Sequence, residues 1–152
     1  MRKFLFMGLT VEDKKWVFGD VTHFAITNSD GSIVERMFVD GVKVKSDTVR
    51  QYIGRKDENG VPIFSGMIVD VYSWREDEKF DRYIVRYDDH WARYDLLTSN
   101  GHNYNFSDKD SSLGGRVVVV GEIFNHHELL LSKRWKPKKD YMAMLAARPW
   151  EV

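Results

Sequence analysis

The sequence predicts a mainly β fold: a hairpin-rich N-terminal part leading into a small SH3-like antiparallel barrel, with two or three short helices. Short runs rich in Val, Ile, Phe, Tyr and Trp recur along the chain, broken by the turn signals Asp40-Gly41 and Asn59-Gly60. From Met67 to Leu97, successive strand-like runs are joined by short polar turns, the pattern of an antiparallel meander.

Residues 1 to 45 read as short strands. Phe4 to Leu9 follow Met1-Arg2-Lys3 like the start of a leader, but the apolar run is short. Glu12-Asp13-Lys14-Lys15 then follow without a small-residue cleavage site, so an opening strand is expected. Lys15 to Phe18 are stopped by Gly19-Asp20, Asn28 to Gly31 form a turn, and Ile33 to Val39 meet Val42 to Val44 across Asp40-Gly41. Ser46-Asp47 predicts the cap of a short helix, Thr48 to Tyr52, with Val49, Tyr52 and Ile53 as its apolar face and Gly54 as its stop. Arg55 to Ser65 is a second hairpin around Asp57-Glu58-Asn59-Gly60.

Met67 to Trp74, Asp81 to Tyr87 and Trp91 to Leu97 are the strands of the meander. Thr98 to Gly115 reads as a long polar surface loop. The valines of Arg116 to Val120 suit a central strand buried on both faces. Asn125 is the expected cap of a helix reaching Leu131. The tail differs: Lys133, Arg134, Lys136, Lys138 and Lys139 surround Pro137, and Asp140 to Arg148 reads as a helix. It is too short to persist alone in water. The expected division is a β domain over residues 1–131, followed by a basic linker and helix over residues 132–152. Within the β domain, residues 1–65 form the N-terminal region and residues 66–131 the barrel.

The 152 residues suit one ordinary domain or two small lobes sharing a core. With 23 basic and 23 acidic residues the net charge is +0, so a nucleic acid or anionic lipid would have to be met by a local patch. No cysteine is present, which removes disulfides, thiolate nucleophiles and cysteine zinc sites and suits a reducing cytoplasm. No apolar segment approaches the roughly 18 residues of a spanning helix, so no membrane partner is expected.

Two segments carry a family resemblance. One reads Thr48-Val49-Arg50-Gln51-Tyr52-Ile53-Gly54, then Asp57-Glu58-Asn59-Gly60, then Ile63-Phe64-Ser65-Gly66-Met67-Ile68-Val69. The other reads Val120-Gly121-Glu122-Ile123-Phe124-Asn125, followed by Glu128-Leu129-Leu130. Together they resemble the YopX-type family, small proteins of phages and prophages of Gram-positive bacteria, over roughly residues 1 to 131. The resemblance implies a mostly β fold and no particular reaction. Met67 departs from the family pattern, where an acidic residue follows the glycine. Either a binding carboxylate is lost here, or the position only caps a turn and Met67 points into a contact.

Alternation along the meander strands places Tyr83, Val85 and Tyr87 on one face with Ala92, Tyr94 and Leu96. The opposite face carries Arg82, Arg86, Trp91 and Arg93, with Tyr72 and Trp74 on the neighbouring strand. Interleaved cations and rings suit a single-stranded nucleic acid, through stacking and phosphate contact, or a peptide groove. The same rings also suit packing against the chain itself or another subunit, and Asp70, Asp88, Asp89 and Asp95 dilute the field.

His126 and His127 are adjacent and so point in different directions, unlike the i, i+4 spacing of helical metal ligands. Asp88-Asp89-His90 reads as a turn before it reads as a hydrolytic carboxylate pair and base. No G-x-S-x-G, glycine-rich phosphate loop or H-E-x-x-H motif occurs, so no cofactor, metal site or catalytic residue is expected. The tail helix, with Tyr141, Met142, Met144 and Leu145, admits self-docking, exchange with a second copy, or a phosphate-contacting arm. The expected function is a non-enzymatic phage or prophage accessory protein of the host cytoplasm. It would be an interaction or assembly module and a homo-oligomer, meeting itself and another protein. A single-stranded nucleic-acid binder is the alternative, and a metal-dependent hydrolase comes third.

Overall fold

A computed structural model describes residues 5–72, 80–105 and 116–151. The chain is mainly β, built of antiparallel sheets, with two short helices among the described residues. It forms two compact units. The first ends at Tyr52 and takes in Pro149 and Trp150; the second runs from Ile53 to Arg148.

In the first unit, β1 (Phe6–Leu9) and β2 (Trp16–Gly19) make a hairpin in which Phe6 faces Gly19 and Leu9 faces Trp16. The start of β6 (Arg50–Lys56) pairs with the other side of β1, Met7 facing Arg50. A second sheet has the order β3 (Val21–Thr27), β4 (Ile33–Val39), β5 (Val42–Val44). Its β4–β5 turn is the expected one: Asp40 and Gly41 both take positive φ, 53° and 75°, and Val39 faces Val42. Met7, Leu9, Phe18, Val39 and Val44 are buried. The ring of Trp150 meets that of Phe18 edge-on at 5.8 Å.

The helix expected over Thr48 to Tyr52 is not formed. Ser46–Thr48 make one 3-10 turn, preceded by Lys45 without a side-chain cap, and the chain then extends as β6. The Thr48 hydroxyl donates to the Lys45 carbonyl (2.6 Å) and accepts from the Leu9 N–H (2.9 Å), tying the turn to β1. A free ladder on β1 outweighs the weak local helical preference of a segment rich in β-branched and aromatic side chains. Gly54 takes φ 91° within the strand instead of ending a helix.

In the second unit, a five-stranded sheet forms a half-barrel. Its order is β11 (Asn103–Asn105), β10 (Arg93–Leu97), β9 (Phe80–Asp88), β8 (Met67–Tyr72), β12 (Arg116–Glu122). β11 lies within the segment expected to be a loop, because Tyr104 and its neighbours find a ladder on β10; residues 106–115 of that segment lie outside the described residues. The valine-rich β12 is buried as expected, but among the described residues it stands at the edge of this sheet, not at its centre.

Asp57 explains how that edge is closed. One carboxylate oxygen accepts the N–H groups of Asn59 and Val61, both at 2.9 Å, and shapes the turn that leads into β7 (Pro62–Phe64). The other accepts the Val119 N–H at 2.9 Å, while the Glu58 N–H donates to the Val117 carbonyl at 3.0 Å. The turn thus stands in for a missing strand beside β12. The turn and β7 belong to the second unit, which begins at Ile53.

Met67 is 1% exposed, and its sulfur accepts the Phe64 N–H at 3.3 Å across the turn at Gly66. The thioether therefore closes a turn and fills the interior. Between Val119 and Gly121 the β12 register shifts at a bulge, and α1 (Ile123–His126) begins directly afterwards. The cap of α1 is Glu122, not Asn125: the buried Glu122 carboxylate accepts from Phe124 N–H (2.7 Å) and Asn125 N–H (3.0 Å). A 3-10 turn, His127–Leu130, follows and seats Leu129 with Ile68 and Val120. After the basic linker, α2 (Lys139–Ala146) docks on its own unit, with Tyr141 and Leu145 6% and 3% exposed.

Asp57→Ala orphans buried N–H groups at the turn and on β12 and is expected to cost about 2–4 kcal/mol of stability, with Asp57→Asn recovering only a fraction. A denaturant midpoint within error of the parent would show that water replaces the carboxylate freely.

Candidate aromatic and basic face

The register puts Arg82 and Arg86 of β9 on one face, with Asp70 and Tyr72 of β8 and Arg93 and Asp95 of β10. Trp91 stands in the turn before β10, 61% exposed. Trp74 lies outside the described residues. On the reverse face Tyr83, Val85 and Leu96 are buried, whereas Tyr87 is 46% exposed and meets Tyr94 edge-on at 5.2 Å. Ala92, expected inside, is exposed with φ 51°, because it belongs to the turn.

Arg82 does not stand on an open surface. It is 8% exposed and grips Asp70 in a bidentate pair, Nε to Oδ1 at 2.7 Å and Nη2 to Oδ2 at 3.1 Å. Its Nη1 donates to the carbonyls of Leu129 (3.1 Å), Ser132 (3.3 Å) and Trp135 (2.8 Å). Burial pushes the Asp70 carboxyl up, and the Arg82 guanidinium opposes that rise. The segment after α1 is thereby drawn across the sheet and separates the two ends of the candidate face.

At one end, Tyr72 and Phe80 pack at 5.2 Å between ring centroids, with Arg116 5.1 Å over Tyr72 and Lys133 6.0 Å over Phe80. Each cation also meets a carboxylate: Arg116 meets Glu58 at 3.6 Å and Lys133 meets Asp81 at 2.9 Å. Burial raises the Tyr72 hydroxyl above its ordinary range, with Asp70 adding to the effect.

At the other end, Arg93 pairs with Asp95 at 2.8 Å and lies 5.3 Å over Trp91. Asn103 Nδ2 bridges Asp88 and Asp95 at 2.9 and 3.0 Å. Asp88 also accepts the N–H groups of Trp91 and His90, which hold its carboxyl below the usual range. The Asp88-Asp89-His90 segment is thus a turn locked by its first carboxylate. Arg86 is exposed and stands opposite Asp95 in register. This end presents Arg86, Trp91 and Arg93 together, over a buried carboxylate.

The histidines separate. His126 is 5% exposed, accepts the Glu122 N–H on Nδ1 at 3.1 Å and meets the Tyr141 ring at 4.7 Å. His90, His102 and His127 are exposed. Among the described residues no group of three or more His, Asp or Glu is placed to hold a metal ion. Of the tail residues, Tyr141 and Leu145 face their own unit, and Met142 and Met144 are half-buried.

Sequence reasoning passed over Phe24, Ile26 and Val34, which share one face of the β3–β4 hairpin and remain 51%, 45% and 36% exposed. Their alternation was visible, but alternation ordinarily marks a buried face.

Arg82→Met takes away the guanidinium that the buried Asp70 carboxylate and the carbonyls of Leu129, Ser132 and Trp135 share. It is expected to lower stability by about 3–5 kcal/mol, and adding Asp70→Leu should restore much of the loss. A double variant no more stable than the single one would count against the pairing.

His126 is held below its ordinary value of 6.5, by burial first and by Lys138 second, with Glu128 opposing. The unfolded chain therefore binds the proton first, and stability falls as pH drops below that value. His126→Asn keeps an acceptor without titrating, so its loss in Tm between about pH 7 and about pH 5 should be smaller than the parent's.

No helix among the described residues is long and apolar enough to cross a membrane. No curated protein matches the chain. The family described as YopX protein matches residues 6–131, which span both units and stop short of the basic linker. By that match over most of its length, the chain belongs to the YopX family.

Proposed function

We propose that the chain is a phage or prophage accessory protein of the host cytoplasm that works by binding protein, itself included, and not by catalysis. The observation that carries this reading is the exposed apolar face of the β3–β4 hairpin, where Phe24, Ile26 and Val34 lie side by side. Solvated apolar patches of that kind are favourable to cover, by roughly 25 cal/mol per Å² removed from water. Met142 and Met144, half-buried on α2, offer a second, adaptable contact.

Single-stranded nucleic-acid binding is the second reading, favoured by Trp91 exposed beside Arg86 and Arg93. It is weakened by local charge balance. Arg82, Arg93, Arg116 and Lys133 each meet a carboxylate within 4 Å, so the face offers rings without the positive field that phosphate binding draws on.

Light scattering on the full chain should give a mass above that of one chain. Titration with single-stranded DNA or RNA at low salt should leave tryptophan fluorescence unchanged. A response that weakens steeply with salt would transfer the proposal to the nucleic-acid reading.

A further inference from the structure

Every strand edge of the three-stranded sheet is accounted for except one. The outer edge of β5 is covered: Val44 bridges Thr10, Val11 N–H donates to the Lys43 carbonyl (3.2 Å), and Lys45 N–H donates to the Leu9 carbonyl (2.9 Å). The outer edge of β3 has no neighbouring strand among the described residues, and Thr22 to Thr27 are exposed. Natural edges are normally protected by lysine, proline, a bulge or an inward charge. From Val21 to Thr27 this strand has no proline, no Asp, Glu, Lys or Arg, and an unbroken register with β4.

The ladder fixes which backbone groups are free. Asn28 N–H donates to the Ser32 carbonyl (2.7 Å) and Asp40 N–H to the Asp20 carbonyl (3.0 Å), so the even positions of β3 face β4. By alternation, Val21, His23, Ala25 and Thr27 turn their N–H and C=O groups outward. An antiparallel partner strand centred on Phe24 would use all of them: Val21 against Thr27, His23 against Ala25.

That register is self-complementary. We propose that β3 is a self-association edge, on which two copies of this chain pair β3 with β3 about a twofold axis at Phe24 and merge their three-stranded sheets into one. This rests on the self-binding reading above and names its surface. Across the axis the two Phe24 rings face each other, each flanked by its own Arg36, which stands opposite Phe24 on β4. Ile26 of each copy meets Thr22 of the other, so the row runs Val34, Ile26, Thr22, Phe38 from sheet to sheet. Phe38 already packs edge-on against Phe24 at 5.7 Å within one copy. No charged side chain is set against another on the two β3 strands, which is the electrostatic condition for a copy to accept its own edge. A foreign extended peptide could use the same backbone groups, but this match of side chains is specific to the chain's own strand.

The absence of native cysteine makes the test direct. In the proposed dimer, Phe24 is a non-hydrogen-bonded pair with Cα atoms about 4.5 Å apart, within reach of a disulfide. Full-length Phe24→Cys should therefore form a linked dimer under mild oxidation. Thr27→Cys, whose mate would lie about 20 Å away along the strands, should not. In parallel, Phe24→Lys should shift the unoxidised protein to monomer, while Ile33→Lys, near the hairpin turn, should leave the dimer in place, both checked for an unchanged melting transition.

An oligomer in which the two cysteine variants crosslink alike, and which Phe24→Lys does not disrupt, would overturn this edge while leaving self-assembly standing. A parent protein monomeric at every concentration would remove both. A monomer that nonetheless captures a synthetic extended peptide of unrelated sequence, but not one copying Val21–Thr27, would give the edge to a foreign strand.

Discussion

A guanidinium taken out of water must find acceptors for nearly all its N–H groups, and the second unit is arranged around meeting that demand for Arg82. Asp70 supplies two acceptors, one strand away in register, and the carbonyls of Leu129, Ser132 and Trp135 supply the rest. Those carbonyls come from a stretch with little regular structure of its own. Arg82 is thus what holds the segment after α1 over the sheet, and with it the cover on Ile68 and Val120. A buried ion pair of this type adds little net stability against an apolar replacement, but it fixes one arrangement, because any other leaves a charge stranded. The consequence for function is direct. The same segment that satisfies Arg82 covers the middle of the face that interleaved cations and rings had marked as a candidate platform.

The second constraint is the management of strand edges. Two of them are closed by local devices: β12 by the Asp57 turn, and β5 by the residues flanking Leu9 and Thr10. In each case backbone groups that would otherwise need water or a partner are bonded within the unit. β3 lacks such a device among the described residues and carries no charge to repel another strand. An assembly function fits this contrast, since the edge that is left open also carries the exposed phenylalanine and isoleucine. The cationic side chains, by comparison, are matched with carboxylates at Arg82, Arg93, Arg116 and Lys133, which suits solubility and orientation more than attraction of a polyanion.

Much of the fold was legible in local chemistry. Asp40-Gly41 demands left-handed geometry, and the hairpin is there; alternation from Met67 to Leu97 sorted most of the meander side chains onto the faces they occupy. Local patterns failed where a distant partner competed. Thr48 to Tyr52 has a cap signal and an apolar stripe, yet β1 offers a ladder and the chain is a strand from Arg50 onward. Asn125 looks like a cap, yet the helix begins earlier, where Glu122, just past a bulge, accepts the N–H groups of Phe124 and of Asn125 itself. The valine run signals burial correctly, but burial does not distinguish a central strand from an edge covered by a turn.

What the sequence by itself determined is the class of object: a β-rich, uncharged-on-balance, cysteine-free chain of the YopX family, with its turns and strand faces. These follow from φ preferences, side-chain alternation and composition, which act over a few residues. Only the tertiary structure decided which arginine is inside, which strand lies at an edge and which edge remains open. Each of those depends on whether a group finds its hydrogen-bond partner dozens of residues away, as Arg82 does at Leu129 and Asp57 at Val119, and no local pattern encodes that meeting.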